Sequence, residues 1–140
     1  MFDCLIVGDS IAVGTHQFKP ECVSYSKGGI NSHQWINQNI GKLPLNAKTV
    51  IISLGSNDHK WVNTESELRA LREMTKADRV YWILPAGNLK ASQVSIQYIQ
   101  LTVKEIAKQY GDVVIPITRL QADGIHPSWA GYKDIAEKTK

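Results

Sequence analysis

Two segments near opposite ends of the chain hold the side chains of a nucleophilic hydrolase. Gly8-Asp9-Ser10 offers a hydroxyl just after an apolar run, and Asp123-Gly124-Ile125-His126 offers a carboxylate and an imidazole three residues apart. That spacing lets the carboxylate reach one ring nitrogen and leaves the other to activate a serine. The chain order Ser, Asp, His is one of several that unrelated folds use for this chemistry. Between them, the turn Gly55-Ser56-Asn57-Asp58 supplies a side-chain amide that could donate to an oxyanion. Gly28-Gly29 supplies backbone that a substrate can approach closely. Each segment also has an ordinary reading: Ser10 as a helix cap, residues 123–126 as a surface loop, the other two as turns.

Whether these segments meet depends on the elements that carry them. Residues 4–7 (CLIV) read as a buried strand, 10–18 as a short helix and 22–25 as a second strand. Residues 32–40 are helical, with Trp35, Ile36 and Ile40 on one side. Residues 49–54 (TVIISL) are continuous, apolar and β-branched, as a strand covered on both faces should be. A helix over 64–75 opens with Thr64 and Glu67 at capping-box spacing and carries the stripe Leu68, Leu71, Met74. A strand over 80–84 closes at Pro85, and a long helix over 91–110 stops at Gly111. A last strand covers 113–117, and Ser128 can cap a final helix.

Alternation of about five strands with five helices predicts an α/β protein: a three-layer α/β/α sandwich on a parallel sheet, in flavodoxin-like strand order. One domain over residues 1–140 is expected. In such sheets ligands bind beyond the carboxyl ends of the strands. All four segments named above fall there.

Composition narrows the function. Hydrophobic residues make up 43% and charged residues 21%, and the net charge is +3 with no dense basic block. No nucleic-acid or lipid footprint is therefore expected, and most aromatics are expected in the core or in pocket walls. The amino terminus lacks a basic leader region, and no apolar run approaches the ~20 residues of a membrane span. The expectation is a soluble chain, cytoplasmic as it stands, with export by another route left open. Cys4 and Cys22 lack zinc-site spacing and fall on neighbouring predicted strands. Buried free thiols are the expectation, a disulfide the alternative. No metal or cofactor is expected: GDSIAVGT lacks the lysine and spacing of a phosphate loop, and no Gly-x-Gly-x-x-Gly follows a strand. Gly-x-Ser-x-Gly is absent as well. His16, His33 and His59 have no Asp three residues before them and are expected at the surface or a pocket rim.

Over nearly its whole length the chain resembles the SGNH hydrolases, also called GDSL esterases and lipases. Gly8-Asp9-Ser10-Ile11 matches the first family block, with Ile where Leu is usual; Gly55-Ser56-Asn57-Asp58 matches the Gly-x-Asn-Asp block, and Asp123 to His126 the Asp-x-x-His block. The resemblance implies that Ser10 is the nucleophile, His126 its general base and Asp123 the residue that orients His126. It implies an oxyanion hole made of the Ser10 N–H, a glycine N–H and the Asn57 side chain. Gly29 is the assigned glycine, with Gly28 its neighbour and Ser32 the donor if the register shifts.

Only brief loops are present, so a shallow, open site is inferred. A short acyl group, such as acetyl on a sugar, or a small ester fits it better than a long chain. His59, Trp61, Asn88 and Trp129 are placed at its rim by position alone. The partner is then a small-molecule or glycan ester. A thioesterase or acyltransferase would use the same residues. A non-catalytic glycan-binding module on this fold is the other alternative, disfavoured by the intact Ser10, Asn57, Asp123 and His126. The oligomeric state is not legible.

Overall fold

The structure is a computed structural model that describes residues 1–87 and 93–140. Its strands are β1 (Phe2–Gly8), β2 (Val23–Ser26), β3 (Leu45–Ser53), β4 (Thr75–Lys76), β5 (Arg79–Ile83) and β6 (Val113–Ile115). Its helices are α1 (Ser10–Phe18), α2 (Ser32–Gln38), α3 (Thr64–Glu73), α4 (Ile96–Tyr110) and α5 (Trp129–Lys138), with a short 3-10 turn at Ile40–Lys42. All strand pairs are parallel and run β2-β1-β3-β5-β6. Discounting β4, this is the flavodoxin-like order expected. The two-residue β4 pairs beside the start of β3 and was not foreseen.

Register sorts the side chains into two layers. Leu5, Val50 and Val80 lie opposite one another, as do Ile6, Ile51 and Tyr81 one residue on. The first set packs with Trp35, Leu68, Leu71, Val103 and Ile106 from α2, α3 and α4. The second packs with Ile11, Ala12 and Ile135 from α1 and α5. Both faces are covered, which is why these strands read as unbroken apolar runs. Each fully buried aliphatic side chain contributes about 1.5–3 kcal/mol.

Two expectations are corrected. The cysteines are not free thiols: Cys4 and Cys22 form a disulfide with Cα atoms 4.7 Å apart. Pairing of Leu5 with Val23 sets the preceding residues side by side on β1 and at the entry to β2. The cap of α3 is also different. Asn63 is the N-cap and accepts from the Ser66 amide, while Thr64 donates its hydroxyl to Asp58. Glu67 faces His33 instead, 2.9 Å away. With Asn63 as the cap, Thr64 is the first residue inside the helix, and its hydroxyl is free to make a charge-assisted hydrogen bond to the buried carboxylate.

Other boundaries shift modestly. β3 starts four residues earlier than expected, and α2 gives way to the 3-10 turn at its end. α4 starts at Ile96 with Ser95 as its cap, and the start expected at 91 lies outside the described residues. Ser128 caps α5, accepting from the Gly131 amide. Among the described residues no helix is long and apolar enough to cross a membrane.

Candidate active site

The site is built from the residues that leave the carboxyl ends of β1, β3 and β6. At the end of β1 the backbone turns sharply. Gly8 has φ +140, and a Cβ there would lie 1.8 Å from the Ser53 carbonyl oxygen, so only glycine lets β1 pass this close to β3. The Asp9 amide then donates to that same oxygen at 2.9 Å. Asp9 is the N-cap of α1: its Oδ1 accepts from the Ile11 amide at 3.0 Å and from the Ser53 hydroxyl at 3.1 Å. Capping is thus done by Asp9, and Ser10 is left as the first residue of the helix with its hydroxyl free for other work.

That hydroxyl meets His126. Ser10 Oγ and His126 Nε2 are 2.8 Å apart, and His126 Nδ1 and Asp123 Oδ2 are 2.7 Å apart. The other Asp123 oxygen accepts from the amides of Ile125 and His126 at 2.9 and 3.0 Å. Those amides and the imidazole hold the Asp123 carboxyl down at about 2. The loop itself is stiffened from within. Leu120 bridges Pro127, Gln121 N donates to His126 O, and Gly124 takes the left-handed turn with φ +70.

The third side of the site joins two loops. Asn57 Nδ2 donates to the Ile30 carbonyl at 3.1 Å, so the turn after β3 is tied to the glycine segment after β2. A Cβ added to Gly28 would come within 3.9 Å of the Ser10 Cβ, and Gly29 has φ +79 with open space around it. The N–H groups of Ser10, Gly28 and Gly29 take no acceptor among the described residues. Donors left unpaired beside a nucleophile are what an oxyanion hole requires.

Sequence reasoning missed two carboxylates that hold this arrangement. Asp58 is fully buried and accepts from the Ser32 amide, the Ser32 hydroxyl and the Thr64 hydroxyl at 2.8, 2.8 and 2.6 Å. Asp9 is fully buried as well, and its Oδ2 has no partner among the described residues. Burial pushes its carboxyl up to about 7 against the hydrogen bonds from Ile11 and Ser53 that pull it down. Burial also pushes the Tyr132 phenol up to about 12, with Asp9 and Asp123 adding to the effect. The signal for both carboxylates was present: each sits inside a motif, directly beside a residue assigned to the chemistry.

The remaining candidates are dispersed. His16 bonds the Cys22 carbonyl, and His33 is engaged by Glu67 and Asn37. Trp129 does not join a rim: its ring packs edge-on against Phe18 and lines a groove with the Cys4–Cys22 pair. Phe18 is the far end of α1 from Ser10, which draws the indole away from that hydroxyl. His59 and Trp61 line a second groove, beside the turn that holds Asn57. Asn88 lies outside the described residues. Ser32, the alternative oxyanion donor, already gives its amide to Asp58. Among the described residues no group of three or more His, Cys, Asp and Glu side chains could hold a metal ion.

No family model matches the chain. No curated protein sequence matches it either. Solved structures do. A GDSL-like lipase from Bacteroides thetaiotaomicron superposes with a TM-score of 0.70 at 18% identity, covering 98% of this chain and 84% of that one. The C-terminal catalytic domain of peptidoglycan O-acetyltransferase A from Streptococcus pneumoniae, solved with a methylsulfonyl adduct, gives 0.68 at 14% identity, covering 97% and 89%. An acetyl xylan esterase, AlAXEase, gives 0.62 at 16% identity, covering 96% of each chain. The chain therefore has the α/β/α fold that the GDSL-type hydrolases share.

Proposed function

We propose that the protein is a serine ester hydrolase of the SGNH type, acting on short-chain or carbohydrate acetyl esters. The observation that carries this reading is the unbroken chain of contacts from Ser10 Oγ through His126 to Asp123, 2.8 and 2.7 Å long. A hydroxyl, an imidazole and a carboxylate in this order form a charge-stabilised proton path. Ser10 Oγ attacks the ester carbonyl as His126 Nε2 takes its proton, and Asp123 stabilises the imidazolium. The oxyanion is received by the N–H groups of Ser10 and Gly29 and by the second Asn57 N–H, with Gly28 alongside. Collapse expels the alcohol, which takes the proton from His126 and leaves an acyl group on Ser10. Water, deprotonated by His126, attacks that acyl group; the acid departs and the proton returns to Ser10.

The side chains of His126 and Asp123 are 35% and 43% exposed, so water reaches the acyl-enzyme freely. The same openness offers little surface for a long acyl chain. The Cys4–Cys22 disulfide supports action in an oxidising compartment, in place of the cytoplasmic expectation. Hydrolysis of p-nitrophenyl acetate tests the reading. Replacement of Ser10 by Ala in folded protein is expected to lower kcat by about 10⁴–10⁶-fold. Equal rates for the two proteins would sink the esterase assignment.

A further inference from the structure

Beyond the triad, the carboxyl edge of the sheet carries a second feature. A groove of about 490 Å³ lies between the loop before α3 and the residues that lead into α4. It is flanked by Trp61, 80% exposed, and Tyr98, 43% exposed. The groove thus presents two aromatic rings to solvent side by side.

The groove adjoins the triad. His59, on its wall, is two residues beyond Asn57. β3, which leads into the turn that holds Asn57, lies between β1, which leads into Ser10, and β5, so the groove shares the carboxyl edge of the sheet with Ser10. On its other side the β5–α4 segment touches the catalytic loop: a Cβ on Gly87 would lie 2.2 Å from the Gly124 carbonyl oxygen. The β3–α3 and β5–α4 connections that line the groove thus each border the triad as well.

Among the polar residues that line it, three use one atom to hold a loop and keep another for a ligand. His59 Nδ1 accepts from the Trp61 amide at 3.3 Å, which leaves the ring proton on Nε2. Asn63 Oδ1 accepts from the Ser66 amide and leaves its NH₂ group. Ser95 Oγ accepts from the Tyr98 amide and leaves its own O–H. Lys60 stands over one face of the Trp61 ring at 5.1 Å. Flat aromatic faces ringed by short hydrogen-bonding groups suit a ligand with C–H faces and equatorial hydroxyls. An acyl chain would leave those donors unpaired at a cost.

From this we infer that the groove is a carbohydrate subsite, in which Trp61 and Tyr98 hold a sugar ring of the alcohol half of the ester while its acyl group lies at Ser10. The subsite's catalytic use rests on the esterase reading; its binding of sugar does not.

The experiment has two arms. In the first, xylotriose and chitotriose are titrated into the Ser10→Ala protein and into Ser10→Ala/Trp61→Ala, followed by tryptophan fluorescence and by amide chemical shifts. Saturable changes centred on residues 59–63 and 95–98, lost or weakened about tenfold without Trp61, are expected. In the second, kcat/KM is measured for an acetylated xylo-oligosaccharide and for p-nitrophenyl acetate. Trp61→Ala is expected to depress the sugar ester at least about tenfold more than the aryl ester. No shift with either sugar, or an equal loss on both esters, overturns the subsite. Absence of any ester hydrolysis by the wild type overturns the esterase reading instead, and the binding arm still decides the groove.

Discussion

Asp58 holds Ser32 by two hydrogen bonds, one from its amide and one from its hydroxyl, each 2.8 Å long. The pair is buried, and it fastens the start of α2 to the turn after β3. Those are the two segments assigned to the oxyanion hole, so one carboxylate sets the distance between Gly29 and Asn57. It does so without touching the reacting atoms.

Removing that carboxylate should therefore cost stability and activity together. In Asp58→Ala the Ser32 and Thr64 donors are left buried, and a loss of about 3–5 kcal/mol in urea unfolding is expected. Where the variant still folds, kcat should fall with little change in KM. Asp58→Asn, which keeps an acceptor, should recover part of both losses.

In the proposed mechanism Asn57 acts in the transition state. Asn57→Ala should lower kcat for p-nitrophenyl acetate by about 10²–10³-fold with KM nearly constant. A change confined to KM would remove Asn57 from the oxyanion hole.

Asp9 makes stability depend on pH in an unusual direction. Its folded-state pKa lies near 7, above the unfolded value of 3.8. Between these values the native state keeps a proton that the unfolded chain has lost, so stability falls as pH rises, levelling off above about 7. The fall should approach ~4 kcal/mol. Asp123 acts in the opposite sense and in another window: its value near 2 adds stability above the unfolded value that is lost as pH falls through 2. Urea unfolding of wild type and Asp9→Asn at pH 5 and pH 7.5 separates the two, since only the wild type should weaken between them. Equal slopes would contradict the buried-proton account.

The Cys4–Cys22 disulfide closes an 18-residue separation that contains α1 and Ser10. Its removal in Cys4→Ala/Cys22→Ala should cost about 3 kcal/mol. Thiol titration of the unfolded, unreduced protein should find no free thiol; two would refute the bridge.

The sheet, its strand order and the meeting of Ser10, His126 and Asp123 were legible because their signals are local. Residues 50–52 form an unbroken apolar run since both faces of β3 are covered, and Ser10, Asp123 and His126 stand in short motifs at strand ends. What was hidden depends on register and on distant partners. The disulfide needs the Leu5–Val23 pairing, which no spacing rule supplies. The Thr64 cap was misread because its hydroxyl goes to Asp58, a partner defined only once the turn is folded. Trp129 was placed at the rim from its nearness in sequence to His126, whereas α5 turns it toward Phe18.

The central claim is that Ser10 is a nucleophile activated by His126. The most direct test is labelling with a fluorophosphonate, followed by intact mass and peptide mapping. One adduct per chain, on Ser10, is expected, with labelling absent in Ser10→Ala and slowed at least ~10³-fold in His126→Ala. Folded wild-type protein that takes no adduct, or that is still labelled without Ser10, would contradict the account.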